Sequence, residues 1–318
     1  MKGRCAVLAL VLVATAACAN DSTGYVGVGG IAYLKNHNIS MHSEALFISK
    51  KVVDIKYQFK NLSNQDITET ILFPLPAVPV YRHGDFADTQ GLLESFRVWV
   101  DGARVKPTMH VRALTDDEQG ADITHALKSC GLTDKELLSG WLFWSLSDAD
   151  VRRINNKITQ CNNPTIKRLR KNGQPTEDLQ VEWQTQVVYS WQQTFKANAI
   201  THVRHRYVPL VGTGWYGLEG EYPEFCVDES IKKALNGQRE QQGVYAYLAM
   251  NYVLTTGANW AKPIKWFKLT VEHDDDEFVA FCWTGKGKVT KIGKGKFQVI
   301  EQDFTPTQDL DIAFIKKQ

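Results

Sequence analysis

Behind residue 19 the sequence has no apolar run of roughly 18 residues, so no helical membrane span is expected there. Patterns that announce common chemistries are missing too. There is no His-Glu-x-x-His and no Cys-x-x-Cys to hold zinc or to run thiol exchange. No Gly-x-Ser-x-Gly elbow presents a nucleophile, and the spacing from Ser230 to Lys233 lacks the Lys-Thr-Gly element that would give a Ser-x-x-Lys pair meaning. The eight histidines are scattered from His37 to His273, with no ligand-like set on one element. The acidic runs Asp116-Asp117-Glu118 and Asp274-Asp275-Asp276-Glu277 lack the alternating spacing and the glycine of a calcium loop, so solvated turns are expected. The glycines of GYVGVGG, residues 24–30, neither follow a strand nor open a helix, which argues against a dinucleotide loop and for a flexible opening segment. No metal or other cofactor is expected.

What is present begins with a leader. Lys2 and Arg4 precede an apolar run from Cys5 to Val13, and small residues end at Ala17, Cys18 and Ala19, the layout of a secretory signal cut before Asn20. Cleavage before Cys18 with lipid anchoring is the alternative, disfavoured because Thr15 stands where such signals carry leucine. Loss of residues 1–19 removes two of the 37 basic residues and none of the 35 acidic ones, so the mature chain has no excess of either sign. A general nucleic-acid binder is thereby excluded. Cys130, Cys161, Cys226 and Cys282 remain, and an even count in an exported chain favours two disulfides over free thiols. Of the three possible pairings, Cys130 with Cys161 and Cys226 with Cys282 is the expected one. A periplasmic or secreted location is expected.

From Ala45 onward the pattern is β. Val53, Ile55, Tyr57 and Phe59 alternate with Asp54, Lys56 and Gln58, the period of two that a half-buried strand requires. Phe96, Val98 and Val100 alternate up to Asp101-Gly102, a strong hairpin turn. Residues 114–178 change character: Thr133 with Glu136, and Ser147 with Asp150, are helix-capping spacings. A helical insertion is predicted there, clipped by the Cys130–Cys161 bridge and ending in the polar linker KRLRKNGQPTED. Beyond it Leu179, Val181, Trp183, Val187, Tyr189, Trp191 and Phe195 share one face of a predicted strand, THVRHRYV returns, and YVLTT at 252–256 is strand-like. The expectation is a mostly β fold with a helical insertion and two antiparallel β-sandwich-like units. Its parts are a signal peptide at 1–19, an N-terminal β-sandwich-like unit at 20–113, the insertion and linker at 114–178, and a C-terminal β-rich unit at 179–318.

Candidate functional residues are few. On a strand His202 and His205 point to opposite sides, so they cannot chelate one metal unless a bulge intervenes. His205 is expected as a buried, hydrogen-bonded ring, with a catalytic role as its alternative. His202, Arg204 and Arg206 form a basic face, either merely solvated or a site for a phosphate or carboxylate. Trp141 and Trp144 fall on one side of a helix, packed inward or, facing out, ready to dock a partner. The twice-repeated GKGK of residues 285–297 suits an exposed edge hairpin; a polybasic ribbon for anionic lipid or glycan is the functional alternative.

Several stretches resemble exported bacterial proteins of domain-of-unknown-function family 4424. They are NDSTGYVGVGGIAYLKNHNISMHSEALFIS, YQFKNLSNQDITETILFPLP, YSWQQTF with HVRHRYVPLVG, NYVLTTGANWAKPIKWFKLTVE and FTPTQDLDIAFI, and the likeness they mark spans essentially the whole mature chain. The resemblance implies an exported protein, periplasmic or secreted, of a Gram-negative bacterium, without an agreed activity or catalytic residues. A shorter likeness, through Asn61-Leu62-Ser63, the FPLP ending and the following VDG turn, joins the first β unit to vault and inter-alpha-trypsin-inhibitor type domains, and implies a sandwich scaffold. The functional expectation is a periplasmic binding or assembly protein of the cell envelope, meeting an envelope protein or an anionic envelope ligand. The alternative is an envelope-directed hydrolase or transferase with His205 as base and Glu219 or Glu221 as orienter.

Overall fold

The structure, a computed structural model, describes residues 20–27, 30–80, 86–87, 89–117, 120–139, 146–171, 178–217, 223–236 and 244–317. The leader of residues 1–19 lies outside them. Strands take up about 48% of the chain and helices about 20%, so the mostly β expectation holds.

Three sheets form among the described residues. In the first, Ile67–Pro74 sits between Ser22–Gly27 and Gln184–Phe195, with Gly30–Leu34 and Thr108–Leu114 at the two ends. The second runs in the order Thr290–Gly293, Lys296–Phe304, Ile264–Glu272, Ile39–Ser49, Val52–Asn61, Ile200–Tyr207, Arg97–Val100, Ala103–Val105. Its pairs are antiparallel except that Ile264–Glu272 lies parallel to Ile39–Ser49. The third runs Glu277–Phe281, Leu310–Lys316, Val244–Tyr252, Val211–Gly217, Phe86–Ala87.

The alternation read from Val52–Asn61 is realised: Val53, Ile55, Tyr57 and Phe59 are buried while Lys56 and Lys60 are exposed. These side chains meet the first sheet across a shared core in which Phe73 and Trp191 approach the His205 ring to 4.7 and 5.4 Å, and Phe96 stacks on Tyr189 at 4.1 Å. The first two sheets each contain strands from residues 20–113 and from 179–318, so segments distant in sequence close one core. A smaller cluster lies beyond the third sheet, where Ile231 and Leu235 of the helix Glu229–Asn236 cover Tyr245, Ala313 and Ile315.

Local signals fared well. Asp101 and Gly102 have φ of 47° and 82°, the left-handed pair that a tight hairpin demands. Thr133 and Glu136 cap the helix Asp134–Leu137 reciprocally, and the Ser147 hydroxyl accepts from the Asp150 amide at the head of Asp148–Gln160. Both expected disulfides form, Cys130–Cys161 and Cys226–Cys282.

Four local readings need correction. The expected flexible opening is not seen in the described part of GYVGVGG: Ser22–Gly27 and Gly30–Leu34 pair as strands, and a Cβ on Gly24 would lie 2.3 Å from the Ala32 carbonyl oxygen, so glycine at 24 permits close packing rather than mobility. The strand predicted from Leu179 begins at Gln184; Leu179, Val181 and Trp183 are buried ahead of it because the Trp183 indole turns to the Leu137 carbonyl of the insertion. Lys167, Arg168 and Leu169, read as linker, complete the helix Pro164–Leu169 that Asn163 caps. In YVLTT the strand stops at Tyr252, and Thr255–Asn259 winds into a 3-10 turn whose start is held by the Asp309 carboxylate.

The 31-residue separation of Cys130 and Cys161 sets the size of one effect. Replacing both by serine is expected to lower the unfolding free energy by about 3–4 kcal/mol through the entropy regained by the open loop. Urea unfolding of the oxidised protein checks this, and an unchanged midpoint contradicts it.

Candidate functional site

A buried cluster of polar side chains arises in part from a register shift. Ile39 and Met41 point into the core, but a bulge between Met41 and Ser43 moves the inward set to Glu44, Leu46 and Ile48. A carboxylate is thereby placed where alternation supplies apolar residues, and Glu44 is 1% exposed. Beside it the segment Asn20-Asp21 enters the core with no exposure at all. The Asn20 amide nitrogen Nδ2 donates to Glu44 Oε2 at 3.2 Å, Asn20 Oδ1 accepts from Tyr57 at 2.6 Å, and the Asn20 backbone nitrogen donates to Thr256 Oγ1 at 2.9 Å. Tyr57 Oη lies 3.4 Å from Tyr252 Oη. The Trp260 indole donates to the Asp21 carbonyl at 2.9 Å, and His205 Nε2 meets Asp21 Oδ2 at 3.2 Å. Burial pushes the Glu44 carboxyl up to about 8, against the opposing Asn20 hydrogen bond and with help from the Asp21 charge. The same burial raises the Tyr57 and Tyr252 hydroxyls well above the ordinary tyrosine value.

His205 is fully buried among Tyr57, Phe73, Phe96 and Trp191. A substrate reaches that imidazole only if the sheets part. Glu219 and Glu221 lie outside the described residues, as do Trp141 and Trp144. His202, Arg204 and Arg206 occupy the opposite, outer face of the same strand, His202 and Arg206 exposed and Arg204 partly so. Asp54 binds both guanidinium groups, Arg204 through two of its nitrogens, and Arg204 lies 5.4 Å over the Trp99 ring. His202 has Asp101 at 3.5 Å. Much of the charge on this face is therefore answered within it.

The acidic run behaves alike. Asp274, Asp276 and Glu277 gather ligand atoms within 4.8 Å of one another, but Lys50 and Lys51 engage Asp274, Lys316 engages Asp276, and Lys50 and Lys316 both engage Glu277. Ammonium groups already fill the space a cation would need.

A cavity of about 440 Å3 opens in the helical insertion, lined by Thr133, Lys135, Glu136, Asp150, Arg153 and Lys157, with Leu146 and Ile154 as apolar wall. The volume falls in the range of small-molecule sites. Burial would raise the Glu136 carboxyl, yet hydrogen bonds from Lys157, from the Thr133 amide and hydroxyl, and from Arg153 outweigh it and hold it at about 2. Sequence reading found the Thr133–Glu136 pair as a helix cap but not as the wall of a cavity, because Lys157 and Arg153 reach it from a separate helix. For Asn20, Asp21 and Glu44 the one available signal was a carboxylate in step with Leu46 and Ile48 on an inward face.

A family model described as a domain of unknown function, DUF4424, matches residues 19–313. The chain belongs to the DUF4424 family. No curated protein matches it significantly. Among solved structures, a Legionella pneumophila protein described provisionally as a nutrient binding protein shares 15% identity, with a TM-score of 0.44 over 93% of this DUF4424 chain and 70% of its own. An M1 zinc metallopeptidase from Deinococcus radiodurans gives 9% identity and a TM-score of 0.31 over 89% of this chain and 43% of its own. Yeast LTA4 hydrolase gives 8% and 0.28 over 88% and 29%. This chain thus spans less than half the length of either hydrolytic enzyme, and likeness at these scores carries no functional argument.

Two pH effects of opposite sign follow. Glu44 is held protonated in the fold up to about 8, against an ordinary value of 4.5, so while the Asn20 nitrogen is an amide its contribution is complete below pH 4.5 and is lost as pH rises toward 8. Glu44→Gln is expected to flatten that limb in thermal unfolding; an unchanged slope contradicts it. Glu136 is depressed to about 2, so its contribution is present above pH 4.5 and is lost as pH falls toward 2. Glu136→Gln, which can keep the capping bond from the Thr133 amide but loses the charge that Lys157 and Arg153 meet, is expected to cost about 1–3 kcal/mol at neutral pH, and equal stability of the two proteins at pH 7 contradicts it.

Proposed function

We propose that the protein is an exported binding protein of the bacterial cell envelope, released into the periplasm or beyond by cleavage before Asn20. Its ligand site on this reading is the cavity in the helical insertion. The observation that carries the reading is the character of that cavity: three cationic side chains, Lys135, Arg153 and Lys157, and two carboxylates, Glu136 and Asp150, surround an apolar wall of Leu146 and Ile154. Such a lining suits a small molecule with an apolar body and a carboxylate or phosphate end, an amino acid or short peptide included. Support for export comes from the two disulfides, which form and persist in oxidising compartments. Among the described residues no helix is long and apolar enough to cross a membrane. Binding rather than turnover is favoured because, among the described residues, the histidine that meets a buried carboxylate, His205, is sealed from solvent. The outer face of His202, Arg204 and Arg206 is the secondary contact surface on this reading, for an anionic envelope partner.

The test is a thermal-shift and calorimetric screen of amino acids, short peptides, phosphorylated sugars and peptidoglycan fragments against the native protein and the Lys135→Ala/Arg153→Ala variant. One ligand class is expected to raise the melting temperature of the native protein and to bind the variant at least about tenfold more weakly, the equivalent of one lost charge-assisted contact. Binding unaffected by the double substitution, or no binding by any of the four classes, contradicts the assignment.

A further inference from the structure

The buried group around Asn20 holds two carboxylates and one imidazole. Asp21, Glu44 and His205 are all at or below 1% exposure, and the hydroxyls of Tyr57 and Tyr252 complete the group as neutral neighbours. His205 can answer one carboxylate, through its 3.2 Å contact with Asp21. Among the described residues Glu44 meets the neutral amide of Asn20 and no cation. Asp21 Oδ1 is a buried oxygen without a hydrogen-bond partner. A carboxylate enclosed in a core costs several kcal/mol unless a cation or several donors meet it. With Glu44 ionised, the arrangement is therefore short of one positive charge and of hydrogen-bond donors at the same spot; without that cation Glu44 stays protonated.

We propose that leader removal supplies both: the α-ammonium group created at Asn20 is the buried counter-cation of Glu44 and Asp21, and its formation locks the mature fold. This rests on the reading that the exported chain is cut before Asn20. In that cut a leader peptidase hydrolyses the Ala19–Asn20 bond with one water; Ala19 leaves with a carboxylate that keeps the water oxygen, and the Asn20 nitrogen keeps the electron pair of the broken bond and takes both protons of the water. An amide nitrogen has one N–H, which Thr256 Oγ1 already accepts at 2.9 Å. An ammonium has three, so two further donors and a full charge appear on a residue whose own side chain touches Glu44 at 3.2 Å. Covalent geometry keeps that nitrogen within about 8 Å of the Glu44 oxygens. In a low-dielectric interior, opposite charges at such separations favour ionisation of both. Among the described residues no other charged group is seen at the new amine: the polar contacts of Asn20 and Asp21 are with Glu44, Tyr57, Thr256, Trp260 and His205, and Tyr207 stands behind Tyr252.

The prediction separates two forms of one protein. In a chain extended ahead of Asn20 the nitrogen is an amide, and stability declines from pH 4.5 toward 8 as Glu44 resists ionisation. In the chain that begins at Asn20 this decline disappears, because Glu44 ionises against the ammonium.

The experiment takes the protein secreted through its own leader and first reads its N-terminus by intact mass. A start elsewhere than Asn20 refutes the cleavage reading itself. The Asn20-start protein is then compared with one bearing a single extra glycine ahead of Asn20, each with Glu44 and with Glu44→Gln. The glycine extension is expected to lower the melting temperature at pH 7.5 by about 5 °C or more with Glu44 present, and by less than half as much with Glu44→Gln. The native α-amine is expected to resist reductive methylation that labels it fully in urea. An α-amine labelled in the native protein as fast as in urea, or an extension penalty of equal size with and without Glu44, overturns the proposal while leaving the cleavage reading intact.

Discussion

Two polar residues driven into an apolar core set the terms for everything around them. Asn20 and Asp21 are enclosed completely, and water cannot repay the hydrogen bonds and charge stabilisation they give up. Partners must therefore come from the protein, and they come from all three sheets. Ser22 and Thr23 continue the segment into the first sheet through pairing with Leu72 and Ile71. Glu44, Tyr57 and His205 reach in from the second sheet, and Tyr252 from the third. The network is a junction at which the sheets must meet in one relative arrangement. Apolar side chains alone tolerate several packings; a satisfied polar cluster does not.

Much of the fold was legible because its determinants are local. Alternation in Val52–Asn61, the left-handed pair Asp101-Gly102 and the caps at Thr133 and Ser147 each depend on residues within one turn or one strand. The disulfide pairs close loops of 31 and 56 residues within single regions, so they too could be anticipated. What escaped was long-range or depended on shape. The parallel pairing of Ile264–Glu272 with Ile39–Ser49 spans more than two hundred residues and leaves no local trace. The glycines at 24–30 read as freedom when Gly24 in fact permits a strand to press against Ala32 and Leu72. The bulge after Met41 turned Glu44 inward, and no periodicity count anticipates a one-residue slip.

Candidate sites followed the same division. His202, Arg204 and Arg206 stand outside and His205 inside, as the period of two requires of one strand. Strand alternation could not disclose that Asp54, two strand positions from Lys56 on the neighbouring strand, would hold both arginines. The cavity lined by Glu136, Arg153 and Lys157 needs two helices brought together on the disulfide-clipped insertion. In both places charges are met by opposite charges before any ligand arrives, which preorganises the side chains and costs little folding stability.

Residue-resolved hydrogen exchange on the secreted protein tests the junction most directly. If Asn20-Asp21 is integral to the core, the Asp21, Ser22 and Thr23 amides and the Trp260 indole N–H exchange only through global unfolding, at the rate of the slowest amides in Val52–Asn61. Exchange of those four protons at the rate of a frayed chain end, while Val52–Asn61 stays protected, would show that the sheets meet without the buried segment and would contradict its organising role.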